Sequence, residues 1–210
     1  MKLLVLASPA LLEELTAQPV ADTVELIPAA SIDDHLQELH ADVCMDLLFD
    51  NTQHRVTSLI NIGTPLVIIN SVLQTPPLTP PEFIRINGWP TMLSRTTIEA
   101  TGGNENTRSQ ALHVFTDLGR KTEWVPDVTG MVTPRIICSI INEAFFSLEE
   151  KISSMEQIDT AMKLGTNYPF GPFEWGEKIG LKNVYLLLAE LAKYQARYRP
   201  AGSLETIALA

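Results

Sequence analysis

Residues 158–181 read IDTAMKLGTNYPFGPFEWGEKIGL, and the placing of proline and glycine in that run leaves little choice of backbone. Ile158, Ala161, Met162 and Leu164 recur at helical spacing, which predicts an amphipathic helix closed by Gly165 in the left-handed conformation. Pro169, Gly171 and Pro172 exclude both a helix interior and a central strand, so residues 168–173 are expected to form an irregular buried turn with its aromatics facing inward. A second helix is expected to restart near Glu174.

Upstream the pattern changes. Short apolar runs at 3–6, 24–27, 43–49 and 66–69 alternate with helical patterns at 9–18, 32–40 and 52–60; Ser8, Ser31 and Asn51 read as N-caps, and Pro9 suits a first helical position. Such alternation predicts a parallel sheet. A proline-rich stretch at 74–82 interrupts it; strands near 83–87, 96–100 and 122–125 then accompany a helix at 104–118. From Gly130 onward the pattern is helical, which divides the chain into an α/β part over 1–127 and an all-α part over 128–210.

The composition, 45% hydrophobic and 19% charged over 210 residues, suffices for one large or two small cores. A net charge of -10 argues against nucleic acid or an anionic membrane as a partner, because both demand a basic surface. Cys44 lies in a strand-like run and Cys138 in an apolar helix, so both are expected to be buried, reduced thiols in a cytoplasmic protein. The apolar run after Lys2 is too short for a signal sequence, and none is long enough to span a bilayer. No metal site is expected.

The run "Ile141-Asn142-Glu143-Ala144, then IDTAM, then GPFE, then IGL" resembles the C-terminal domain of the 3-hydroxyacyl-CoA dehydrogenases. The likeness extends upstream through Asp127-Val128-Thr129-Gly130-Met131-Val132 with Arg135, and through Leu118-Gly119-Arg120, covering roughly residues 83–204. It implies a shortened, degenerate Rossmann-like sheet domain followed by a helical domain of that family. It also implies NAD as cofactor, an acyl-CoA ligand, and a homodimer formed through the helices.

Residues that would carry the family's chemistry depart from its pattern. A dinucleotide turn needs G-x-G-x-x-G after the first strand; here it reads Ala7-Ser8-Pro9-Ala10-Leu11, and no glycine precedes Gly63. Glu25 and Asp33 are available by number to hold a ribose, yet both also read as solvated surface charges. The family's catalytic histidine stands twelve residues before a glutamate, and counting back from Glu99 lands on Asn87, whose amide cannot take up a proton near neutral pH. His35, His40, His54 and His113 lie elsewhere. The family's substrate-binding asparagine falls on Pro134, which reads as helix initiation with Thr133 as N-cap; Arg135 either pairs with Glu143 or Glu99 or meets a CoA phosphate.

Two further features have structural readings. Tyr168, Phe170, Phe173 and Trp175 read as a loop plug rather than a ligand slot. Residues 181–198 read as one amphipathic helix with Tyr185, Leu188, Leu191 and Ala192 inward and Lys182, Lys193, Arg197 and Arg199 solvated. Three functional expectations follow: a noncatalytic family relative without NAD that retains an acyl-CoA or small-molecule ligand, an active NAD-dependent dehydrogenase with an atypical site, or different chemistry using Glu99.

Overall fold

A computed structural model describes residues 1–32, 34–73 and 80–210. The chain divides into two compact units, Met1–Met131 and Val132–Ala210. Asp33 and most of the proline-rich stretch, 74–79, lie outside the described residues.

The first unit holds a seven-stranded sheet in the order β2-β1-β3-β4-β5-β6-β7: β1 Lys2–Leu6, β2 Glu25–Ala29, β3 Val43–Asp46, β4 Leu66–Asn70, β5 Ile84–Ile86, β6 Thr97–Gly102 and β7 Lys121–Trp124. Every neighbouring pair is parallel except β5 and β6, where Ile86 faces Ala100. The expected all-parallel pattern fails there for a simple reason: the connection over 87–96 is too short for a crossover, which takes a dozen or more residues, so the chain turns back as a hairpin. Period-two alternation sends Leu3 and Val5 into one apolar layer with Met45, Ile68 and Phe115, and Leu4 and Leu6 into the other with Cys44, Leu59 and Ile69. Each fully buried leucine of β1 contributes about 1.5–3 kcal/mol of apolar transfer.

Helices α1 (Pro9–Leu15), α2 (Gln53–Ile62) and α3 (Glu105–Asp117) cover the sheet. Ser8 and Asn104 cap α1 and α3, but α2 is capped by Thr52 and not by Asn51, which adopts a left-handed φ of 60°. The helix expected over 32–40 is a 3-10 helix at Asp34–Leu39.

Buried arginines hold the connections. Arg120 donates to the carbonyl oxygens of Glu14, Leu15, Leu93 and Leu118, so one guanidinium joins the end of α1, the hairpin connection and the end of α3. The preceding Gly119 has φ 72°, and a Cβ there would stand 2.6 Å from the Pro19 carbonyl oxygen. Arg85 likewise donates to the Ser71 carbonyl and to Asp127, which explains the position of that aspartate in the motif.

The second unit is built on α4 (Thr133–Glu149), which packs against α6 (Pro172–Ile179) and α7 (Leu181–Ala192) through Ile137, Ile141, Phe145, Phe173, Val184 and Leu188. Phe145 and Phe173 meet edge to face with ring centroids 4.9 Å apart. Asn142, buried on α4, donates to the Arg199 carbonyl at 2.9 Å and accepts from the Ala201 amide at 2.8 Å, fastening the chain that leads to α8 (Gly202–Ala208). The predicted helix over 181–198 is two pieces, α7 and a 3-10 turn at Ala196–Tyr198, and Tyr185 is half-buried with its hydroxyl donating to Glu205. At the start of α4 the cap is Val132, with Thr133 already helical and Pro134 buried in the first turn.

The diagnostic run of the opening paragraph is where the expectations need most correction. Helix α5 (Met155–Thr166) continues through Gly165, and Asn167 supplies the left-handed end residue with φ 57°. No residue of α5 is buried; Leu164 is 82% exposed, so its apolar stripe does not face this unit's core. Its attachment is polar. Asp159 accepts the amides of Phe173 at 2.8 Å and Glu174 at 3.0 Å, placing a carboxylate on the N-terminus of α6. Gly171 permits this approach, because a Cβ there would lie 2.2 Å from Asp159 Cγ. Phe173 and Trp175 are buried as expected, whereas Tyr168 and Phe170 are half-buried against Trp175.

Substituting Gly171→Ala should therefore cost about 2–3 kcal/mol of stability, and Asp159→Ala about 1–2 kcal/mol through loss of the cap. Urea unfolding of both variants measures this; a Gly171→Ala protein as stable as the parent would contradict the close approach.

Candidate functional site

The site sits where β4 and β5 end and the hairpin begins. Asn87 follows β5 directly, and Glu99 is the third residue of β6, so antiparallel pairing brings them together: the Asn87 amide donates to the Glu99 carbonyl at 3.2 Å. Their side chains meet as well, Asn87 Nδ2 donating to Glu99 Oε2 at 3.2 Å. Asn87 is buried, and its Oδ1 accepts no hydrogen bond from the described residues. Glu99 is half-buried beside Arg95, whose pKa burial draws below the ordinary value against the opposing pull of Glu99.

Polar contacts fix the surrounding turn. Asn70, at the end of β4, accepts the Gly88 amide at 3.0 Å and donates to the Leu47 carbonyl at 3.3 Å. Glu14 of α1 accepts the Thr91 amide at 2.8 Å, and Gln18 donates to the Ser94 carbonyl at 2.8 Å. Thr91 is β-branched with φ 73°, a strained conformation that these contacts hold. Glu14 and Asn70 escaped sequence reading because their partners lie 18 to 77 residues away, without a local pattern.

A carboxamide in this position can orient a carboxylate and accept one hydrogen bond. It cannot shuttle a proton, because neither protonation nor deprotonation of an amide is accessible near neutral pH. Among the histidines, His113 lies exposed on α3 with Nδ1 against the Ser109 carbonyl, and His40 is exposed beside the Glu38 carbonyl.

The turn after β1 does not fit the pyrophosphate of a dinucleotide. Of the amides that would face an anion, that of Ala7 donates to the Ala29 carbonyl, Pro9 has none, and that of Leu11 is taken by Ser8 Oγ at 3.4 Å. Helix α1 has only seven residues, and the Cβ atoms of Ala7 and Ala10 occupy space that glycine would leave open. On the adjacent strand Asp46, fully buried and in register with Leu6, accepts two hydrogen bonds of 2.7 Å from Arg55; this pairing raises the arginine's pKa and engages its Nε and one Nη2 donor. Glu25 opens β2 at the amino end of the sheet, the wrong end for a ribose bound beyond the carboxyl ends. Among the described residues, no three His, Cys, Asp or Glu side chains gather as a metal would require. Nor is any described helix long and apolar enough to cross a membrane.

Pro134 and Arg135 belong to the second unit, on α4. Arg135 is half-buried and lines an open groove of about 480 Å³ with Ile136, Ser139, Ile140, Glu143 and Arg197. Cys44 and Cys138 are buried free thiols, and burial pushes that of Cys44 up to about 12 and that of Cys138 higher still.

A largely parallel sheet unit followed by an all-helical unit is the architecture of the two-part Rossmann-type dehydrogenases. Residues 130–210, the helical part of the chain, match the family model described as 3-hydroxyacyl-CoA dehydrogenase, C-terminal domain. A 3-hydroxyadipyl-CoA dehydrogenase of Escherichia coli is 36% identical over 116 residues, covering 54% of this chain but only 24% of that protein. A probable 3-hydroxybutyryl-CoA dehydrogenase of Bacillus subtilis is 28% identical over 192 residues, 83% of this chain and 67% of the relative. In fold, the chain superposes on the (S)-3-hydroxybutyryl-CoA dehydrogenase of Ralstonia eutropha with a TM-score of 0.75 at 20% identity, covering 99% of this chain and 93% of that one.

Replacing Asn87→Asp sets two carboxylates against each other in the hairpin. At pH 7 both bear charge, and the folded state should lose about 1–2 kcal/mol. The proton the pair then holds favours the folded form, so the loss shrinks as pH falls toward about 4. Melting temperatures of parent and variant across that range test this; a constant difference would place the two side chains apart.

Proposed function

We propose that this protein is a 3-hydroxyacyl-CoA dehydrogenase relative that binds a small ligand, an acyl-CoA thioester in the first instance, and does not transfer hydride. The observation that carries the reading is the Asn87–Glu99 pair: a carboxylate is held ready by a side chain that cannot exchange a proton. The filled turn after β1 supports it independently, since hydride transfer needs a nicotinamide cofactor as well as a base. Asn87 Oδ1 and Glu99 are both acceptors, a pair suited to a ligand hydroxyl or amide N–H. Pro134 offers no side-chain hydrogen bond and serves helix entry.

Calorimetric titration of the purified chain with NADH and, separately, with acetoacetyl-CoA tests the reading, alongside the absorbance assay for NADH oxidation. Thioester binding with neither NADH binding nor turnover is the expected result. Saturable NADH binding with turnover would establish an active dehydrogenase with an atypical site. Asn87→His alone should remain inactive; measurable hydride transfer by that variant would mean the nucleotide site is intact.

A further inference from the structure

Asn87 is followed by Gly88, and no other Asn-Gly step occurs in the 210 residues. That dipeptide has a reaction of its own. The amide nitrogen of the second residue attacks the side-chain Cγ of the first, and glycine permits the approach because it carries no Cβ. The new N–Cγ bond closes a succinimide ring, the Cγ–Nδ2 bond breaks, and ammonia leaves with the proton that the amide gives up. Water then opens the ring at either carbonyl, leaving aspartate or isoaspartate. Here the product would set a second carboxylate against Glu99, or lengthen the backbone by one carbon where β5 turns toward β6.

Gly88 does not adopt a left-handed φ; what demands glycine is Asn70. A Cβ at position 88 would lie 2.9 Å from Asn70 Cγ and 3.0 Å from its Cβ. The same side chain blocks the reaction that the glycine invites. Asn70 Oδ1 accepts the Gly88 N–H at 3.0 Å, so the direction along which the nitrogen would release its electron pair points at Asn70 and not at Asn87 Cγ. Asn70 is itself anchored by donating to the Leu47 carbonyl at 3.3 Å. On the other side the Asn87 carboxamide is pinned, with Nδ2 donating to Glu99 Oε2 at 3.2 Å, and Asn87 and Gly88 are both buried. Reaction therefore requires the turn to open, and its rate follows the open fraction.

We propose that Asn87–Gly88 is a latent self-modification site that Asn70 keeps closed: once the turn opens, the Gly88 nitrogen converts the Asn87 carboxamide to aspartate or isoaspartate. The assignment stands whether or not the chain binds a thioester or NADH.

The test is incubation of the purified chain at mildly alkaline pH, with mass spectrometry and fragment sequencing to place the deamidated residue and circular dichroism to confirm folding. The folded parent should react at Asn87 about a hundredfold more slowly than the same chain unfolded in urea. Asn70→Ala should raise the folded rate about fivefold, through loss of the hydrogen bond on the Gly88 amide. Gly88→Ala on the Asn70→Ala background, where the clash is gone, should bring the rate back down, since a Cβ hinders the attack. Leu4→Ala weakens the same unit at β1, away from the turn, and should leave the rate near the parent's. A folded parent reacting as fast as the unfolded chain would overturn the proposal, and this comparison needs no variant. So would an Asn70→Ala protein no faster than the parent, or a Leu4→Ala protein accelerated as much as Asn70→Ala.

Discussion

Much of the first unit hangs on the guanidinium of Arg120. It is buried without a carboxylate, and burial pulls its pKa down; carbonyl oxygens from three chain segments provide its solvation instead. Removing it would leave those carbonyls unpaired in an apolar setting, at about 1–3 kcal/mol for each that finds no water. Because two of the segments are the end of α1 and the connection after β5, the same residue fixes where Glu14 meets Thr91, and through that turn where Asn87 stands.

Two kinds of constraint separate cleanly in this chain. Residues that shape the backbone are present and occupied: Gly171 under Asp159, Gly119 before Arg120, Asp127 on Arg85, Asn142 on the C-terminal segment. At the positions where chemistry is expected, the residues serve the fold. Asn87 makes the hydrogen bond to Glu99 that orientation needs, and Pro134 starts a helix well. The turn after β1 spends its amides on capping and on β2.

Periodicity alone revealed the strands, since apolar runs of four or five residues in a sheet covered on both faces have few alternative readings. The helical motif was legible for the same reason that it is particular: proline and glycine restrict φ directly. What the sequence hid was long-range and polar. Nothing near Asp159 marks it as the cap of another helix, and the stripe on α5 reads as core although none of its residues is buried within the unit. The Asn87–Glu99 pair was readable through the twelve-residue spacing of the resembled family, and the hairpin that makes that separation a direct contact was not; nor was the support from Glu14 and Asn70.

The reversal of direction between β5 and β6 has a topological corollary. Residues across a parallel pair meet only after an intervening helix has closed a long loop, whereas Asn87 and Glu99 meet as soon as a short hairpin zips. The central pair of the site is thus a low-contact-order object inside a high-contact-order sheet. Its geometry is carried by a contiguous stretch of about a dozen residues, largely independent of the β1–α1–β2 unit in which a nucleotide would bind, so the chemistry of one can change while the shape of the other persists.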